Sequence, residues 1–302
     1  MKIGKFVINL LRVKVTKENK AKVNKQIIEE KYSPRLNIPY IADNNYHHQF
    51  DLFFSPNKNK KNTLVIDIHG GAYVMGDRKE NYKFGTVFLD AGFDFIATDY
   101  IVNDGKRDTY DLIKDNVDCI SYILTHLKEL GLKEDVNIFL TGDSAGGHLA
   151  MTVAELFLDK EYAKEAGFND LPIMNLKGVM VNCTVYNYAP LGKLSLSKGG
   201  MKRMFGPEAL DMKKRELVCP NTHISSLSVP LFASTCRNDF LRKDESLVLK
   251  RKMEEIKKSD FTWLDIDEKD KHIAHVHNIL DIIHPRSQEV NNAMIKFMND
   301  LI

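Results

Sequence analysis

The sequence predicts an α/β chain, a doubly wound and mostly parallel sheet with helices on both faces. Three observations carry this reading. From about residue 48, short apolar runs alternate with longer amphipathic ones. Several of the short runs are apolar at nearly every position, as parallel strands covered on both faces must be. One of them passes through Gly142-Asp143-Ser144-Ala145-Gly146-Gly147 straight into a helical pattern. With 302 residues, 43% hydrophobic and 28% charged, the chain is long enough for a large single core and has neither disordered nor multi-span membrane composition.

The elements follow in order. Strands are predicted at Gln49 to Phe54, Thr63 to His69, Phe93 to Thr98, Val136 to Thr141, Leu176 to Cys183, Pro230 to Cys236 and Thr262 to Asp267. Ile113, Val117, Ile120, Leu124 and Leu127 keep one helical face up to Gly131, and Val290, Met294, Phe297 and Leu301 repeat the pattern near the C-terminus. Two stretches fall outside this rhythm. Residues 1 to about 45 read as an N-terminal cap segment before a main domain at 46 to 302. Ile3, Phe6, Val7, Leu10 and Leu11 there have amphipathic helical spacing, interrupted too early by Arg12 and Lys14 to be an export signal. Residues 185 to 229, with Pro190, Pro207, Pro220 and Gly199-Gly200, read as a lid insertion. A cytoplasmic location, with no membrane span, is expected.

Charge and cysteine content narrow the function. The 43 basic and 41 acidic residues leave a net charge of +2 with no long block of one sign, so no nucleic-acid partner is expected. Cys119, Cys183, Cys219 and Cys236 have neither Cys-x-x-Cys spacing nor histidines at zinc-ligand spacing. They are expected to be reduced core thiols, with no metal and no organic cofactor. The sequence is silent on oligomeric state and leaves a homodimer open.

The Gly142 to Gly147 segment supplies the chemistry. A strand that turns abruptly into a helix needs small residues two before and two after its apex, and it presents the apical hydroxyl at the helix N-terminus. Ser144 is therefore the candidate nucleophile. His69-Gly70-Gly71-Ala72 ends an earlier strand, and acyl transfer needs backbone N–H groups near the developing oxyanion. Gly70, Gly71 and Ala145 are assigned to that role, with Ala72 a substitute for one of the glycines.

With these motifs the chain resembles the α/β-hydrolase superfamily, and within it the hormone-sensitive-lipase-like esterases of the α/β-hydrolase fold-3 type, over about residues 35 to 302. The resemblance implies the order serine, acid, histidine, with the acid after the next-to-last strand and the histidine after the last. Asp239, in Asp239-Phe240-Leu241, then aligns with the acid; Asp244 and Glu245 read instead as solvated helix-start charges. His275, in Ala274-His275-Val276-His277, aligns with the base, although Ala replaces the family's Gly and His its aromatic residue, so His277 stays a competitor. His272 and His284 read as surface or supporting residues. Asp143 is expected to hold the turn by hydrogen bonds, and Asp67 to be a satisfied buried carboxylate. Tyr186, Tyr188, Met201, Met204 and Phe205 could line an acyl pocket or pack as core.

The function implied is a serine carboxylesterase acting on short, acetyl-like acyl esters of a small-molecule substrate through an acyl-enzyme. Two readings compete with it. An acyl-peptide or other amide hydrolase uses the same triad, and a non-catalytic ligand-binding protein of this fold would lack a working base. Serine, acid and a placed histidine together favour catalysis.

Overall fold

The computed structural model describes residues 30–187, 202, 205–207 and 211–302. Its frame is an eight-stranded sheet: β1 (Arg35–Pro39), β2 (Gln49–Phe53), β3 (Thr63–Ile68), β4 (Asp94–Thr98), β5 (Asn137–Asp143), β6 (Leu176–Asn182), β7 (Leu231–Cys236) and β8 (Phe261–Ile266). The spatial order is β1-β2-β4-β3-β5-β6-β7-β8. β2 runs antiparallel to both β1 and β4, and every later pairing is parallel. The helices described are α1 (Tyr82–Asp90), α2 (Thr109–Thr125), α3 (Ala145–Leu158), α4 (Lys160–Glu165), α5 (Met212–Leu217), α6 (Pro220–His223), α7 (Leu247–Glu255), α8 (His277–Leu280) and α9 (Pro285–Asn299).

Strand alternation sorts the side chains into two cores. Leu64 and Ile66 of β3 and Ile138 and Leu140 of β5 face α2 and α3, where Leu112, Ile120, Leu149 and Val153 meet them. Val65 and Phe139, one residue out of step, point the other way into a cluster with Phe84 and Phe88 of α1 and with Met294 and Phe297 of α9. This two-sided burial is why these strands read as unbroken apolar runs.

The seven strands predicted from sequence are all present, displaced by at most two residues at their ends. The eighth, β1, lies at the sheet edge with a mostly exposed face and polar Arg35 and Asn37. It places residues 35 to 39 in the sheet, ahead of the boundary expected at 46. The amphipathic helix predicted over residues 3 to 11 lies outside the described residues. So does most of the first half of the expected lid insertion, including Tyr188, Met201 and Met204. The insertion's second half returns as α5 and α6, against α3 and α4: the Tyr162 hydroxyl donates to the Leu217 carbonyl at 2.7 Å, and His148 Nε2 lies 2.6 Å from the Val218 carbonyl.

Strand order reverses between β3 and β5. The chain leaves β3 for β4 on one side and later returns to β5 on the other, opening a crevice at the carboxyl ends of these two strands. Both glycine-rich segments begin there.

Candidate active site

Ser144 stands between β5 and α3 with φ 53° and ψ −118°, a strained conformation for a residue with a side chain. The turn persists because its neighbours leave no alternative. A Cβ on Gly146 would overlap the Ile68 and His69 carbonyl oxygens, and one on Gly142 would overlap the Gly146 carbonyl. The Ser144 N–H donates to the Asn182 carbonyl at 2.9 Å, and its carbonyl accepts the Val185 N–H at 3.1 Å, tying the apex to the end of β6.

Asp239 and His275 are brought together from loops after β7 and β8. His275 Nδ1 lies 2.7 Å from Asp239 Oδ1, which also accepts the Leu241 N–H at 2.9 Å, while Oδ2 accepts the Thr235 hydroxyl at 2.8 Å. Burial works to raise the Asp239 pKa, but the bond and charge of His275, with the Leu241 and Thr235 donors, outweigh it and hold the carboxyl below its usual range. The His275 side chain keeps 19% of its surface exposed, and its ring lies 4.3 Å from the exposed Phe240 ring. The His275 loop is tied to the end of β6 as well. It hangs on Cys183, whose Sγ accepts the Val276 N–H at 3.3 Å, and the His275 charge reaches Asp143, beside Ser144. His277 is buried against Cys236 and makes no hydrogen bond to Asp239. His272 is exposed, and His284 caps α9 by accepting the Arg286 N–H.

The first glycine-rich segment is braced from behind by charge. His69 donates from Nδ1 to the Gly70 carbonyl at 2.7 Å, faces Asp99 with Nε2 at 3.3 Å and stacks on Tyr100. Burial pulls its pKa down, but Asp99 and the Gly70 carbonyl push it up further, to about 9, so the ring is a cation at neutral pH. Asp99 also takes the fully buried Arg78, whose Nη1 is 2.8 Å away and whose Nε is 2.6 Å from Asp51. This ionic cluster was not legible in the sequence, because its members are scattered from position 51 to position 99.

Three sequence expectations change here. The Gly70 N–H donates to Asp143 Oδ1 at 3.0 Å, so it is spent on holding the turn and is not offered to an oxyanion. Asp143 does have the bracing role expected of it, also accepting Asn81 Nδ2 at 3.0 Å. Asp67 is only half satisfied: Oδ2 accepts Asn81 at 2.9 Å while Oδ1 has no partner among the described residues, and burial beside Asp143 pushes its pKa to about 8. Glu245 is no solvated helix-start charge. It is buried, and its Oε2 accepts the N–H groups of Tyr186 at 2.8 Å and Asn187 at 2.6 Å where the insertion begins.

Of the pocket candidates, Tyr186 and Phe205 are both buried. Phe205 packs on Tyr73, next to the glycine-rich segment, and helps line a cavity of about 290 Å³ with Tyr110, Gly167, Arg215 and Val218. None of Ser144, Asp239 and His275 lines that cavity. Among the described residues, no helix is long and apolar enough to cross a membrane.

Known proteins share this fold. The BD-FAE family model matches residues 50–253. The probable isoprenylcysteine alpha-carbonyl methylesterase ICMEL1 of Arabidopsis thaliana is 25% identical over 207 residues, 65% of this chain and 42% of that protein. The non-reducing polyketide synthase trt4 of Aspergillus terreus is 31% identical over 130 residues, 41% of this chain and 5% of the synthase. The chain thus spans less than half the length of these curated relatives. Among solved structures, esterase B from Lactobacillus rhamnosis, inhibited by a tributyrin phosphonate, superposes with a TM-score of 0.86 at 21% identity, covering 100% of this chain and 96% of that one. A truncated carbohydrate esterase from gut microbiota gives a TM-score of 0.68 at 16% identity, covering 89% and 98%.

Proposed function

The chain belongs to the BD-FAE family and has the α/β-hydrolase fold, and we propose that on this scaffold it is a serine carboxylesterase for short-chain, acetyl-like acyl esters. The observation that carries the proposal is the Asp239–His275 hydrogen bond, in a fold that also holds a strained Ser144 at the strand-order reversal.

In the proposed reaction Ser144 Oγ attacks the ester carbonyl and His275 takes its proton through Nε2. Asp239 fixes the imidazole with its Nδ1 proton inward and stabilises the imidazolium. The oxyanion is met by the N–H groups of Ala145, Gly71 and Ala72, since that of Gly70 is engaged. Ala145 is the first residue of α3, so the helix dipole adds to its N–H. Departure of the alcohol leaves an acyl-enzyme, and a water activated by His275 then releases the acid. The residues at work need no metal or organic cofactor. The insertion beginning at Tyr186 is proposed to cover the acyl group, its start held by Glu245.

The test is hydrolysis of p-nitrophenyl esters from acetate to decanoate by wild type and Ser144→Ala. The proposal expects turnover highest for the shortest acyl chains and lost in Ser144→Ala. Turnover rising with chain length would contradict the acyl preference, and turnover surviving in Ser144→Ala would contradict the nucleophile.

A further inference from the structure

Cys183 is buried one residue beyond β6, and its Sγ, a carboxylate oxygen of Asp239 and a ring nitrogen of His275 all lie within 4.8 Å of one another. Among the described residues this is the one group of three such side chains so arranged. They come from positions 183, 239 and 275, so no spacing in the sequence announces them.

We propose that Cys183, Asp239 and His275 form an inhibitory site for a thiophilic divalent cation of the Zn²⁺ class. The donor set is one thiolate, one carboxylate and one imidazole, each an ordinary zinc ligand, with a fourth position left for water. Tetrahedral zinc holds such donors about 3.4–3.6 Å apart, as bond lengths of about 2.0–2.3 Å require. Asp239 and His275 are 2.7 Å apart and no separation in the group exceeds 4.8 Å, so that value is within reach of small side-chain adjustments. The Asp239–His275 pair opens slightly to admit the cation. Charge also balances: a divalent cation with one thiolate and one carboxylate is neutral, which suits a site where Cys183 and Asp239 are buried.

Binding exchanges the Cys183 thiol proton for the cation, and that proton leaves to solvent. The imidazole is then disabled whichever nitrogen is used. A cation on Nε2 occupies the lone pair that would take the Ser144 proton. A cation on Nδ1 moves the ring proton to Nε2, with the same result. Cys236 lies behind, its thiol donating to the Ile273 carbonyl at 3.6 Å, and is outside the ligand set. The inhibitory consequence rests on the reading of His275 as the base; the cation site itself does not.

The experiment titrates Co²⁺ into the chelator-treated full chain and follows the near-ultraviolet sulfur-to-cobalt charge-transfer band, with folding of each variant checked by circular dichroism. The proposal expects a band saturating at one cobalt per chain in wild type, Ser144→Ala and Cys236→Ser. Cys183→Ser should lose it, and His275→Ala should bind at least about tenfold more weakly. Zn²⁺ should displace the cobalt and inhibit wild-type ester hydrolysis over the same concentration range, while Mg²⁺ should not, and chelator should restore the rate. No band in wild type, or a band that survives Cys183→Ser, overturns the site. A band that saturates while hydrolysis continues unchanged leaves the site standing and overturns the role of His275 as base. A chain with no esterase activity would still show the band, so the two failures are distinguishable.

Discussion

The Tyr73 hydroxyl donates to His148 Nδ1 at 2.9 Å, and His148 passes its own proton on from Nε2 to the Val218 carbonyl at 2.6 Å. One relay thus joins the glycine-rich segment after β3, helix α3 and the returning insertion. Burial holds the His148 pKa down, to about 4, so the ring stays neutral and can accept at one nitrogen while donating at the other. Tyr73→Phe removes a buried hydrogen bond and should cost about 1–3 kcal/mol of stability. It should also lower kcat, because two of the proposed oxyanion donors, Gly71 and Ala72, immediately precede Tyr73. Denaturant unfolding with steady-state kinetics checks both, and unchanged values would show that the relay is incidental.

Arg78 should be the most sensitive charged residue away from the triad. It is fully buried and satisfies Asp51 and Asp99 together. Arg78→Met leaves buried Asp51 without its cation and takes from buried Asp99 one of its cationic partners, a loss of about 3–5 kcal/mol. Urea unfolding at neutral pH measures it, and a variant as stable as wild type would contradict this account of the cluster.

Glu155 should respond in the opposite direction. It is fully buried in α3 with no hydrogen-bond partner for either carboxylate oxygen among the described residues, and burial alone pushes its pKa well up. Glu155→Met removes that polar burden at similar volume and should raise Tm, more at alkaline than at acidic pH. A fall in Tm across the whole pH range would mean that the carboxyl has a structural role of its own.

Glu245 predicts a pH dependence of stability. Burial raises its pKa from 4.5 to about 7, against the lowering effect of the Asn187 and Tyr186 N–H groups. An acid whose folded pKa is raised binds its proton better folded than unfolded. Its contribution is therefore most favourable below about pH 4.5 and declines as pH rises to about 7. Glu245→Gln keeps an acceptor for both N–H groups without titrating, so its Tm should gain on wild type between pH 5 and pH 8 by about the same measure. Parallel Tm curves for the two proteins over that interval would contradict the assignment.

The sequence is most legible where sterics leave few choices. The turn at Ser144 announces itself because Gly142 and Gly146 pass so close to other backbone that no side chain fits. The buried parallel strands do so because both of their faces must be apolar. β1 escapes notice because it lies at the edge with polar, exposed residues. The choice between His275 and His277 is invisible along the chain, since two residues apart in an irregular loop they face different neighbours, Asp239 and Cys236. The engagement of the Gly70 N–H depends on the orientation of one peptide, which composition does not encode. Glu245 misleads because a five-residue π-helical segment, Arg242–Ser246, turns it inward where an ordinary helix start would leave it solvated.

The central claim is that Ser144 is a nucleophile activated by His275 and Asp239. It is tested most directly by reacting the folded protein with a fluorophosphonate and mapping the adduct by mass spectrometry. The account predicts one adduct per chain, on Ser144, absent from Ser144→Ala, much slower to form in His275→Ala and Asp239→Asn, and formed at the ordinary rate in His277→Ala. No adduct in folded wild type, an adduct on another residue, or a rate that depends on His277 and not on His275 would contradict it.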